Sequence, residues 1–263
     1  MIYGILSRLA RVRFTVGYVA SLAAVSIAIL MLGPQAREQV IRHASTNLHN
    51  LARGHLGTLW NSAFVIDDGP LYFWLPCLVC LLALAELHLR SLRLTLAFVL
   101  GHIGATLLVA AVLAASVELG WLPLSISRAS DVGMSYGALA VLGALTAAIP
   151  RRWRSAWIGW WLVVGLVTAV SGGGFTDAGH AVALLLGMVV AIRFGRSARW
   201  TPVRWALLIV SSGFGFVLLA HTGWTSMSGA ALGTLGALAA YKLIPLNAAR
   251  GSAPTGPLPV LSV

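Results

Sequence analysis

Charge is what this chain has least of. Only 10% of its 263 residues are Asp, Glu, Lys or Arg, whereas 59% are hydrophobic, and the mean hydropathy is +0.88. Soluble domains carry about a quarter charged residues, so the composition excludes an ordinary globular enzyme and indicates an integral membrane protein. Acidic residues are scarcest: 7, against 18 basic ones, of which all but Lys242 are arginine. The net charge of +11 does not make a nucleic-acid binder, because the arginines sit in short clusters between apolar runs, where they set topology. The two cysteines, Cys77 and Cys80, form a C-x-x-C inside an apolar run. A redox thiol needs an accessible thiolate, which lipid depth opposes, so both read as packing residues. His43, His49 and His55 recur at six-residue steps, which matches no recognised zinc spacing. No metal, cofactor or nucleic-acid partner is expected.

What is present is a series of apolar runs. Eight candidate spans are predicted, at 14–32, 70–87, 94–116, 132–149, 156–171, 178–192, 203–221 and 227–244. Arg8, Arg11 and Arg13 precede the first, which is long enough to span and reads as a retained signal-anchor. With residues 1–13 cytoplasmic, 14 of the 18 basic residues fall inside. Arg37, Arg42, Arg53 and Arg128 fall outside, while six of the seven acids fall outside and only Glu86 inside. A multi-pass protein of the cell membrane with both termini cytoplasmic is expected. Residues 34–69 form a long outer-face connection, in which Val40, Ile41, Ala44, Leu48, Leu51 and Leu59 recur at near-helical spacing. It reads as an interfacial element, the alternative being an ordinary surface loop. The tail 247–263, with Pro254, Pro257 and Pro259, is expected to be disordered and cytoplasmic.

Two polar residues share one depth. Ser135, in Gly133-Met134-Ser135-Tyr136-Gly137, lies ~5 Å into the fourth span from the outside, and His180 lies ~3 Å into the sixth. Serine needs a base to become a nucleophile, histidine is the usual one, and water must reach an acyl intermediate. The bland reading also stands at this point, since Gly133 and Gly137 form the G-x-x-x-G by which membrane helices pack. Asp177, three residues before His180, reads first as a charge at the mouth. His102, in mid-span, reads as a hydrogen-bonded packing residue rather than a proton relay. Trp157, Trp160 and Trp161 read as packing or anchoring residues, and Gly229, Gly233 and Gly236 as a close helix contact.

Gly133-Met134-Ser135 on the fourth span, Gly179-His180 with Ala183 and Gly187 on the sixth, and the outer-loop stretch Gly54 to Phe64 resemble the rhomboid intramembrane serine proteases. The likeness is greatest to a divergent actinobacterial branch, and the arginine, alanine, glycine and leucine bias fits a GC-rich genome. It covers roughly residues 10–195. The resemblance implies an all-α polytopic membrane protein: a six-helix core at 14–195 plus about two extra transmembrane helices at 196–246. It implies a Ser135–His180 dyad that cleaves transmembrane protein substrates near the outer face. Gly133, Tyr136 and Tyr72 are the supporting or oxyanion candidates. Two departures stand out: Tyr136 follows the serine where the family has glycine, and Leu71 to Pro76 lacks the family's second-span histidine and asparagine. They motivate the alternative of a catalytically inactive rhomboid-like scaffold or quality-control binder. A small transporter is less favoured, because no inverted repeat is evident.

Overall fold

The computed structural model describes residues 10–66, 71–194 and 199–243. The expected N-terminal segment up to residue 9, Asp67 and Asp68, Arg196 and the tail 247–263 lie outside the described residues. Among these residues every regular element is helical. Four helices, Ala10–Leu30, Tyr72–Glu118, Arg151–Ser171 and Pro202–Leu219, are long and apolar enough to cross a membrane. Ser135–Ala147 and Phe175–Ala191 are apolar but shorter.

Helix α1 (Arg13–Leu30) begins without a side-chain cap from its own N-cap residue, Val12. A carboxylate 71 residues away does the capping instead. Glu86 accepts the Phe14 and Thr15 amides, both at 2.9 Å, and the Thr15 hydroxyl at 2.8 Å. It also accepts the Ser91 hydroxyl at 2.5 Å. Glu86 is only 2% exposed, and the positive end of α1 is where a buried carboxylate is best tolerated.

The segment 34–65 folds into three short helices, α2 (Pro34–Ala44), α3 (Leu48–Ala52) and α4 (Thr58–Asn61), followed by a 3₁₀ turn (Ser62–Phe64). The near-helical spacing therefore reports real helices, and Ile41 and Ala44 bury beneath α2 with Ile29 and Val65. The second and third expected spans are two helical arms within Leu71–Glu118, together called α5, that meet at a non-helical residue. The predicted connection shrinks to a kink at Arg90, whose φ of 68° and ψ of 160° break the helix. Such a conformation costs a non-glycine residue about 1–3 kcal/mol, which the packing of the two arms must offset.

Helix α6 (Ser135–Ala144) is apolar all round and enclosed, with Ala138 to Leu142 fully buried. A helix without a polar face has to be central. It packs between α5 and α8 (Phe175–Ala191), and glycine permits the approach. A Cβ on Gly187 would collide with the Ala140 carbonyl oxygen, and one on Gly143 with the Leu184 carbonyl oxygen. Beyond α7 (Arg151–Ser171), α8 leads to α9 (Pro202–Leu219) and α10 (Gly223–Leu243). Helix α9 lies on the core through Trp74–Phe214, with ring centroids 5.7 Å apart. The expected close contact of the last helix is made with α7: Gly236 abuts Gly159, and Gly233 faces Val164 and Trp160. Trp161 is fully buried, and Trp157 donates to the Thr146 hydroxyl at 3.2 Å.

Candidate active site

Ser135 occupies the first residue of α6, and His180 the second turn of α8. The close α6–α8 packing that Gly143 and Gly187 permit brings their side chains together. His180 Nε2 lies 2.9 Å from Ser135 Oγ. His180 is 8% exposed, and its Nδ1 has no hydrogen-bond partner among the described residues. The Nε2 contact suits the tautomer in which Nδ1 carries the proton and Nε2 accepts from the hydroxyl.

The approach to Ser135 is fixed by the 45–62 segment. The Thr46 amide donates to the Asp131 carbonyl at 3.0 Å, and the Asp131 amide donates to Ser45 Oγ at 2.8 Å. The Gly133 amide donates to the Ser62 carbonyl at 2.9 Å. Gly133 has φ 128°, a region that residues with a Cβ rarely adopt. Ser62 Oγ in turn lies 3.1 Å from His102 Nε2, so His102 supports the loop, as a hydrogen-bonded packing residue does. The carboxyl of Asp131 sits where burial pushes its pKa up to about 6, an effect partly offset by the Tyr136 hydroxyl facing it.

Because α6 starts at Ser135, the amides of its first turn have no helical acceptor. Those of Ser135, Tyr136 and Gly137 find none in the preceding loop either. They offer donors beside Ser135 Oγ at the positive end of a helix dipole. Tyr136 stands edge-on to His180, with ring centroids 5.4 Å apart and planes at 80°. A Cβ on Gly179 would collide with its hydroxyl, so glycine there makes room for the ring. Gly137 does the same for Phe98.

Tyr72 corrects the expectation from sequence. It is 85% exposed at the start of α5 and makes no hydrogen bond or ring contact with Ser135, Tyr136 or His180. The span prediction fixed its depth but not the direction it faces. His221 is a participant that sequence reasoning missed. It follows α9, and its Nδ1 lies 3.5 Å from Asp177 Oδ1. Asp177 is buried and its other oxygen accepts the Gly174 amide at 3.1 Å, capping α8 just ahead of His180. The available signal was topological, since His221 and Asp177 fall at the same expected face. Asp177 is therefore a buried cap rather than a mouth charge. No group of three or more His, Cys, Asp or Glu side chains suited to a metal occurs among the described residues.

The enclosed short helix that carries Ser135 belongs to an all-helical bundle with several helices long and apolar enough to cross a membrane. The family model described as rhomboid-like protein matches residues 10–198, and the chain belongs to that family. No curated protein and no solved structure matches the chain. Helices α9 and α10 lie beyond the matched region, yet His221, which follows α9, reaches Asp177, the cap of the helix that carries His180.

Proposed function

We propose that this chain is an intramembrane serine endopeptidase that cleaves transmembrane protein substrates near the outer face of the cell membrane. The observation that carries the reading is the 2.9 Å contact between His180 Nε2 and Ser135 Oγ. Ser135 Oγ attacks the scissile carbonyl carbon and its proton passes to His180 Nε2. The carbonyl oxygen becomes an oxyanion held by the first-turn amides of α6, chiefly that of Ser135. Collapse expels the amine, which takes the proton from His180 and leaves an acyl-serine. Water, deprotonated by the same Nε2, then attacks the acyl carbon and restores Ser135. Tyr136 fixes the plane of the His180 ring, and Gly133 shapes the turn that presents Ser135.

The arginine distribution supports cytoplasmic termini, which leave Ser135 and His180 at the water-accessible outer end. In this reading residues 14–195 form the six-helix core and 196–246 a transmembrane extension.

An inactive rhomboid-like binder is the second reading. It is favoured by the exposure of Tyr72 and by the lack of a second-span asparagine, which leave the oxyanion to backbone donors alone. Losing one oxyanion donor costs about 10²–10³ in rate. Co-reconstitution with single-span test proteins separates the readings. The peptidase yields fragments with one mapped cleavage site, lost in Ser135→Ala and His180→Ala. Intact substrates that co-purify equally with wild type and both variants would establish the binder instead.

A further inference from the structure

At the end of the bundle opposite Ser135 the structure opens a groove of about 910 Å³. Its origin is the shortness of α6. The ten-residue helix and its 3₁₀ extension, Leu145–Ala147, amount to ~20 Å of rise, well short of the ~30 Å hydrocarbon core. Helix α7 begins four residues later, and space remains below the end of α6, between α7 and α8.

The walls follow helical spacing. Helix α7 contributes Arg151, Arg154, Ile158 and Leu162, and α8 contributes Leu185 and Val189 among others. Arg151 to Leu162 rises ~16 Å, about half the thickness of the hydrocarbon core and so the depth of one leaflet. Charge occupies one end only, and no acidic residue lines the groove.

Neither Arg151 nor Arg154 has an acidic partner among the described residues. Arg154 Nη2 donates to the carbonyls of Ala147 and Ile149 at 3.0 and 3.1 Å, while its Nε is buried without a partner among the described residues. Trp200 Nε1 donates to the Ala148 carbonyl at 3.0 Å, so the carbonyls of Ala147, Ala148 and Ile149 already have donors. The first turn of α7 holds no acidic residue and no side-chain cap. Arginines at the positive end of a helix dipole are unfavourable until an anion joins them.

We propose that the groove binds one anionic phospholipid from the leaflet at this end. Its phosphate rests on Arg151 and Arg154, and an acyl chain runs along Ile158, Leu162, Leu185 and Val189. Basic pockets between membrane helices recognise such headgroups, and the leaflet-length apolar wall selects a lipid over a free anion. The inference rests on the membrane-spanning fold and not on the peptidase reading.

Native mass spectrometry of the full chain in neutral detergent tests it, with phosphatidylglycerol and phosphatidylcholine of identical chains as probes. Wild type retains one phosphatidylglycerol, at least about tenfold more tightly than phosphatidylcholine. Arg151→Gln with Arg154→Gln removes that preference. Val189→Trp fills the apolar wall, leaves the arginines in place and weakens binding of the anionic lipid. Because Arg154 also holds the Ala147 and Ile149 carbonyls, the Val189→Trp arm keeps the test decisive if the arginine variant misfolds. Equal retention of the two lipids, undiminished phosphatidylglycerol binding in Val189→Trp, or displacement by millimolar inorganic phosphate would each overturn the proposal.

Discussion

Replacing Glu86 with alanine should loosen α1 from the bundle, and the size of the effect follows from its four hydrogen bonds. Two of its donors are backbone amides at the start of a helix with no other cap. Losing a cap costs about 0.5–2 kcal/mol, and each buried donor left without an acceptor costs about 1–3 kcal/mol. The hydroxyls of Thr15 and Ser91 can rotate to other acceptors, so the amides dominate. Water reaching the vacated space offsets part of the loss, which leaves about 3 kcal/mol. For a chain of this size each kcal/mol lowers the unfolding midpoint by roughly 2–4 °C, so a fall of roughly 6–12 °C is expected. Glu86→Gln keeps one acceptor oxygen and turns an NH₂ group toward existing donors, so it should fall between. The assay is thermal unfolding of the detergent-solubilised chain, followed by helical circular dichroism and by intrinsic tryptophan fluorescence. An unchanged midpoint in Glu86→Ala would refute the capping argument.

Other expectations follow from the same geometry. Gly187→Leu drives a side chain into the Ala140 carbonyl; it should destabilise the fold by about 1–3 kcal/mol or more, lower the unfolding midpoint and separate Ser135 from His180. Asp131 gives a pH dependence of defined sign. Its native pKa is raised from 3.8 to about 6 by burial, so between those values the native state holds a proton that the unfolded chain has released. Stability from this group is present below about pH 4 and is lost as pH rises through 6. Asp131→Asn should flatten that slope in unfolding curves collected from pH 4 to 7.5, and an unaltered slope would count against it. Single cysteines at the exposed positions 130 and 171, in a chain lacking Cys77 and Cys80, should react with impermeant maleimide from outside, and one at 152 only from inside. The reverse pattern would invert the assigned orientation.

Much of the architecture was legible because hydropathy reports depth. The apolar runs anticipated the bundle helices, the near-helical spacing in 34–65 anticipated α2, and Gly229, Gly233 and Gly236 marked the face α10 turns to α7. The Ser135–His180 pair was legible for the same reason, two polar groups at one depth on spans entering from one side. What stayed hidden depends on rotation about helix axes and on contacts distant in sequence, neither of which a hydropathy profile encodes. Glu86 was visible as the one acid on the arginine-rich side, but not as the cap of α1. Arg90 carries no turn signature that would reveal a one-residue kink. Tyr72 was placed at a plausible depth and faces away from the site. His221 reaches Asp177 only because α9 returns to the same end of the bundle as the start of α8.

The pairing of Ser135 with His180 is tested most directly by the rate of covalent modification with an alkyl phosphonate, the adduct mapped by peptide mass spectrometry. An activated serine gives a single adduct on Ser135, which is absent in Ser135→Ala and slowed by orders of magnitude in His180→Ala. No adduct on Ser135, or labelling at the same rate in His180→Ala, would contradict the account.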